Sequence, residues 1–131
     1  MVFIAIVNKP KVNGVYFAFD NHLKVGNCSS TDGHVVIVTS INKKNNTARV
    51  KTVTSLEDYD SRSRRWRYRL GRIDDVKNGN ILPIPIREFG TRKFSGVDHN
   101  TRTVKLNQLH YKSSTNHTRF PKRYEKLIHR K

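Results

Sequence analysis

Apolar positions in this chain come in short runs separated by turn chemistry, a pattern that predicts strands rather than long helices. Val2 to Val7 is a continuous apolar run closed by Asn8-Lys9-Pro10, as a buried strand is. Asn13-Gly14 turns into Val15-Tyr16-Phe17-Ala18-Phe19, whose aromatic and β-branched residues predict a second strand. Residues 20–33 show no periodicity and hold two glycines, which predicts a long loop. His34 to Ile41 is the strongest strand pattern. Asn42-Lys43-Lys44-Asn45-Asn46 then supplies turn residues that tolerate left-handed backbone angles. The return from Thr47 to Thr54 alternates, with Ala48, Val50, Thr52 and Thr54 on one side and Arg49, Lys51 and Val53 on the other. Together these two runs predict a hairpin with one partly basic face.

Beyond residue 55 the pattern changes. Arginines 62, 64, 65, 67, 69 and 72 surround Trp66 and Tyr68. Residues 73–80 predict a short helix with Asp74 and Asp75 in its first turn and Asn78-Gly79 at its end. Residues 81–86 are apolar but carry Pro83 and Pro85, which restricts them to an edge strand or extended segment. Residues 90–100 read as loop, and residues 101–106 as a last alternating strand. Near the end, Pro121 at a first helical position predicts a C-terminal helix over about 120–131, with Phe120, Tyr124, Leu127 and Ile128 on one apolar face. The expected architecture is mainly β: a small SH3-like β-barrel in one domain, with one or two short helices including the C-terminal one. The length of 131 residues suits a single domain.

Charge alters this picture more than size does. Lys and Arg total 26 against 10 acids, a formal net charge of +16. The surplus is uneven. Residues 1–60 carry seven basic and five acidic side chains, whereas residues 61–131 carry nineteen and five. A surplus of this size repels itself in a compact fold unless a polyanion neutralises it, so nucleic acid is the expected partner. An anionic membrane is the weaker choice, since no basic amphipathic helix of useful length precedes the last dozen residues. The opening apolar run is too short for a membrane span and has no basic segment before it. Cys28 is the sole cysteine, which rules out an internal disulfide and suits a reducing compartment. A cytoplasmic protein without a membrane association is expected, and no cofactor or metal is anticipated.

Arginine offers forked phosphate contacts and aromatic rings offer stacking platforms for unpaired bases. Arg62, Arg64, Arg65, Arg67 and Arg69 are therefore candidate phosphate contacts, with Trp66 and Tyr68 as candidate base platforms. Large aromatics are mostly buried, so Trp66 and Tyr68 read equally well as core residues. Lys122 and Arg123, on the polar side of the C-terminal helix, would extend the same surface. Asp98, His99, Asn107, His110 and His117 loosely suggest a nuclease metal site. Their spacing is short and the flanking ligands such sites use are missing, so scattered surface histidines are the better account.

The order Gly14-Val15-Tyr16-Phe17-Ala18, loop, Gly33-His34-Val35-Val36-Ile37-Val38, turn, Lys51-Thr52-Val53-Thr54-Ser55 resembles the MazF/PemK family of toxin endoribonucleases over residues 12–56. The resemblance implies an SH3-like barrel, usually a homodimer, that cuts single-stranded RNA without a metal and is held by an acidic antitoxin protein. It also implies a site in which an arginine heading the central strand and a Thr or Ser ending the next flank the scissile phosphate. Carried over, the hydroxyl role falls on Thr54 with Ser55 beside it. The arginine position falls at Gly33-His34, where His34 is the substitute able to move a proton near neutral pH. A barrel that binds RNA or DNA without cutting it is the alternative.

Overall fold

The computed structural model describes residues 9–18, 24–25, 28–29, 34–68, 72–84, 95–110 and 118–129. The strand expected over 2–7 and the candidate Arg69 lie outside them. So do His117, the ends of the predicted 81–86 strand and 120–131 helix, and most of the 20–33 segment. The strands in chain order are β1 (Gly14–Ala18), β2 (Lys24–Val25), β3 (Cys28–Ser29), β4 (His34–Asn42), β5 (Thr47–Ser55), β6 (Glu57–Asp60) and β7 (Arg65–Tyr68). A six-residue helix α1 (Arg72–Lys77) leads to β8 (Ile81–Ile84), β9 (Ser95–Asp98), β10 (Arg102–Lys105), β11 (Leu109–His110) and β12 (Thr118–Arg119), and the described chain closes with α2 (Glu125–Ile128). The protein is mainly β with two short helices, one of them C-terminal, as the pattern predicts.

One antiparallel sheet runs in the order β11-β1-β4-β5-β9-β8. β5 is its hinge. One edge of β5 pairs with β4, while its other edge is divided, residues 47–50 bonding to β10 and residues 53–55 to β9. The outer edge of β1 is divided in the same way between β12 and β11. The end strands β11 and β8 do not pair with each other among the described residues. The sheet is therefore open there, and the expected closure into a barrel is not made. β8 lies at the sheet's end, where Pro83 costs no ladder hydrogen bond on the far side.

Both faces of the sheet carry a core. Tyr16, Ala18, Val36, Val38, Ala48, Val50, Val104 and Leu109 pack together on one. Val15, Ile37, Val53, Val97 and Ile84 pack on the other, under Phe120 and Ile128. Burial on both faces explains why β4 reads as a continuous apolar run rather than an alternating one. It also corrects the expected basic face of β5: Arg49 is exposed, but Lys51 and Val53 are buried.

Local chemistry sets the connections. Asn13 and Asn46 adopt left-handed φ of 66° and 55°. In the β4–β5 turn the Asn45 N–H donates to Asn42 Oδ1 at 3.2 Å, the side-chain mimic of a turn that Asn favours. Gly79, at φ 77°, ends α1. Gly14 is needed for a different reason. The Tyr16 ring folds back over it, leaving no room for a Cβ, and the tyrosine hydroxyl accepts the Lys11 N–H at 2.9 Å. Six strands escaped the sequence pattern. β2 and β3 fall within the expected loop 20–33, β9 within the expected loop 90–100, β6 in the acidic stretch Glu57–Asp60, and β11 and β12 beyond the expected last strand 101–106.

The C-terminal segment behaves as its spacing predicts, in shorter form. Pro121 precedes a single 3-10 turn over Lys122–Tyr124 that runs into α2. Phe120 and Ile128 are fully buried, and Tyr124 packs beside them. Asn13 ties this segment down: its carbonyl accepts the Phe120 N–H at 2.8 Å and its Oδ1 meets His129 Nε2 at 2.6 Å.

Candidate nucleic-acid interface and catalytic residues

His34 opens β4 and Thr54 stands one residue from the end of β5. The ladder between these strands sets Val36 opposite Thr52 and Val35 opposite Val53. One further step of that register leads from His34 to Thr54. Both side chains are half-buried, as residues at the rim of a sheet are. His34 also pairs with Ala18 across β1, and Thr54 with Gly96 across β9. Ser55 pairs with Ser95 in the same ladder; its side chain lies outside the described set. Gly96 has no space for a Cβ, because Ile81 Cγ2 and Leu56 Cδ2 would each stand 2.7 Å from it. Leu56 thus folds back over the sheet beside the Thr54–Gly96 pair. The small β2–β3 ladder pairs Val25 with Cys28, and β2 lies against β5. Part of the expected 20–33 loop is therefore a hairpin against the strand that carries Thr54.

The arginine-rich segment is built differently from the expectation. β7 pairs with β6 in a separate two-stranded ribbon, with Glu57 opposite Tyr68, Asp58 opposite Arg67, Tyr59 opposite Trp66 and Asp60 opposite Arg65. Arg62 and Arg64 belong to its four-residue turn, where Arg64 takes a left-handed φ of 54°. Asp60 organises that turn. Its carboxylate accepts the Arg62 N–H and the Ser63 hydroxyl, each at 3.0 Å, and pairs with Arg67 at 3.4 Å. The Arg62 N–H, then Ser63, hold the Asp60 carboxyl below its ordinary value, with Arg67 adding to the effect. Arg62, Arg64, Arg65 and Arg67 are all exposed. Their charge is nonetheless offset by the acids of β6, so the ribbon is far less cationic than β7 alone. The side chains of Trp66 and Tyr68 lie outside the described set.

Other predicted residues separate in space or role. Arg72, the last of the arginine run, is buried and pairs with buried Asp75 at 3.7 Å, so it serves the fold. Lys122 and Arg123 are exposed, with the Arg123 guanidinium 5.1 Å from the Tyr124 ring centre. Asp98, a member of the loose metal cluster, is buried in β9. Among the described residues no three His, Cys, Asp or Glu side chains converge as a metal set. No helix among them is long and apolar enough to cross a membrane.

Sequence reasoning missed the burial of Lys51 beside β9. Lys51 is only 4% exposed, and its Nζ donates to the His99 carbonyl at 2.8 Å. Burial lowers the Lys51 pKa and Asp98 partly opposes it. In the window between that lowered value and the ordinary 10.5, the unfolded chain binds more protons than the folded one. Stability relative to a Lys51→Met variant is therefore expected to rise with pH through that window. Urea titrations of both proteins at pH 7 and pH 10 read the difference; a wild-type stability, relative to the variant, that stays constant or falls between them contradicts the assignment. The hint in the sequence was a lysine set among the β-branched Val50, Thr52, Val53 and Thr54.

These observations define the class: a strongly basic, mainly β protein with an open antiparallel sheet and an arginine-bearing ribbon. Comparison of the chain with family models, with characterised proteins and with solved structures returned no match.

Proposed function

We propose that this protein binds single-stranded RNA and cleaves it without a metal ion, in the manner of the MazF/PemK toxins its first half resembles. The observation that supports this reading best is the β4–β5 register, which brings His34 and Thr54 to one end of one ladder. Neutral His34 would take the proton of a ribose 2′-hydroxyl, whose oxygen then bonds to the adjacent phosphorus. The bond from phosphorus to the 5′-oxygen breaks, and the imidazolium returns the proton to that leaving oxygen. The Thr54 hydroxyl, with Ser55 beside it, would donate to the phosphate oxygens as charge grows on them. The products are a 2′,3′-cyclic phosphate and a 5′-hydroxyl. Exposed Arg62, Arg64, Arg65, Arg67, Lys122 and Arg123 are the proposed contacts to flanking phosphates. In a toxin setting an acidic antitoxin segment would compete for them, and a homodimer would present two such surfaces.

Incubating the purified protein with unstructured RNA in EDTA is expected to give fragments ending in cyclic phosphate. Intact RNA would overturn the ribonuclease reading, and cleavage that needs added Mg²⁺ would overturn its metal independence. One observation favours the non-catalytic alternative. The ladder neighbours of His34 and Thr54 are Ala18 and Gly96, so the paired strands supply no arginine where the family has one. RNA that is bound but never cut would select that alternative.

A further inference from the structure

The β4–β5 turn and β10 enclose a groove of about 340 Å³ lined by Ser40, Asn42, Asn45, Thr47, Arg49 and Thr103, together with Ile41. Its shape follows from a bulge. The register slips between Val38 and Ser40, and the Thr39 hydroxyl donates to the Arg49 carbonyl at 3.1 Å. Beyond this point β10 closes on β5, with Thr103 opposite Arg49 and Lys105 opposite Thr47, and the Leu106 N–H reaches the Asn46 carbonyl at 2.9 Å. Six of its seven lining residues are polar in type, with Ile41 the exception.

On or near this groove stand Lys43, Lys44, Arg49 and Lys105, all exposed, whereas Arg102 falls on the opposite face of β10 from Thr103. Residues 34–56 and 99–110, which build this corner, contain no Asp or Glu. The contrast with the β6–β7 ribbon is direct, because there each arginine strand position faces an acidic strand. Three of these four cations come from the weakly charged first half of the chain and one from the second. Folding gathers them from two segments that carry no acid of their own.

We infer that this groove is a phosphate-binding subsite for the flank of a bound single-stranded RNA. The inference rests on the RNA reading above and deepens it. Amide and hydroxyl groups of Asn42, Asn45, Thr47 and Thr103 donate to phosphate and ribose oxygens, and Arg49 supplies the fork. The groove and the His34–Thr54 pair lie at opposite ends of β4, roughly 25 Å apart at ~3.3 Å per strand residue. That span corresponds to about seven nucleotides of stacked strand at ~3.4 Å each. The subsite therefore grips RNA away from the candidate scissile bond, with Ser40, Asn42, Thr47 and Arg49 on the sheet face opposite His34 and Thr54.

Anisotropy titrations with a fluorescent 12-nucleotide unstructured RNA test this, using Arg49→Gln and Lys77→Gln. Both remove one exposed positive charge, and Lys77 sits on α1 beside the β8 end of the sheet. Arg49→Gln is expected to weaken binding about fivefold and to reduce the salt slope by about 0.7, while Lys77→Gln stays within about twofold. Lys43→Gln/Lys44→Gln/Arg49→Gln is expected to lower the slope by about 2. In parallel, NMR signals of the Asn42, Asn45 and Thr103 amides should move on RNA addition. Equal losses from Arg49→Gln and Lys77→Gln, or unmoved groove signals with RNA bound, would overturn the subsite and leave RNA binding intact. A wild-type protein that binds no RNA even at low salt would overturn both.

Discussion

Thr54→Ala is expected to slow RNA cleavage by two to three orders of magnitude while the variant melts and binds RNA as the wild type does. Removing one preorganised donor to a developing anionic charge costs about 10²–10³ in rate. Thr54 is half-buried at the rim of the β4–β5 ladder and belongs to none of the packed core clusters, so losing its side chain leaves the sheet standing. Thr54→Ser keeps the hydroxyl and should restore most of the rate. The comparison of single-turnover rates with RNA affinity separates chemistry from binding, because a merely structural threonine would move stability and affinity together. Cleavage by Thr54→Ala at the wild-type rate would remove Thr54 from the mechanism. His34→Gln supplies the companion measurement: loss of a rate limb near neutral pH identifies the imidazole as the group that moves the proton.

The largest effect on stability is expected from Phe120→Ala, about 3–5 kcal/mol in urea unfolding. Phe120 is fully buried against Val15, Ile37, Val53, Val97 and Ile84, and its backbone N–H is held by Asn13. A domain of this size has about 5–15 kcal/mol in all, so the variant would lose a large share of it. Phe120 also anchors the chain between β12 and the 3-10 turn that bears Lys122 and Arg123. Freed of that anchor, the C-terminal segment should become the first site of proteolysis, with RNA affinity falling as those two cations lose their fixed positions. A loss below about 1 kcal/mol would mean that the segment packs only loosely on the sheet.

Much of the framework was legible from the residues. The continuous apolar run of β4, the asparagine-rich turn and the alternation of β5 predicted the central hairpin because each rests on local chemistry. The same holds for α1, with its terminal Gly79, and for the apolar spacing of Phe120, Tyr124, Leu127 and Ile128. What escaped were strands whose identity depends on a distant partner. Glu57-Asp58-Tyr59-Asp60 has no apolar face and becomes a strand because β7 faces it with arginine and aromatic positions. Ser95-Gly96-Val97-Asp98 is short and holds a glycine, yet β5 and β8 flank it on both edges. The available signal for the ribbon was complementarity: three acids, a four-residue polar turn, then arginines at matching offsets.

By itself the sequence determined the strand-rich class, the two short helices, the turn positions and the net charge of +16, since these follow from residue type and spacing. It also brought Thr54 and His34 forward as candidates through their order along the chain. Only the tertiary structure decided where the charge acts. Asp60 took up Arg67 in the β6–β7 ribbon, burial drew Arg72 and Lys51 into the fold, and the pairing of β10 with β5 gathered Lys43, Lys44, Arg49 and Lys105 at the far end of the sheet. Charge per segment is a property of composition; an electrostatic surface depends on which segments fold against each other.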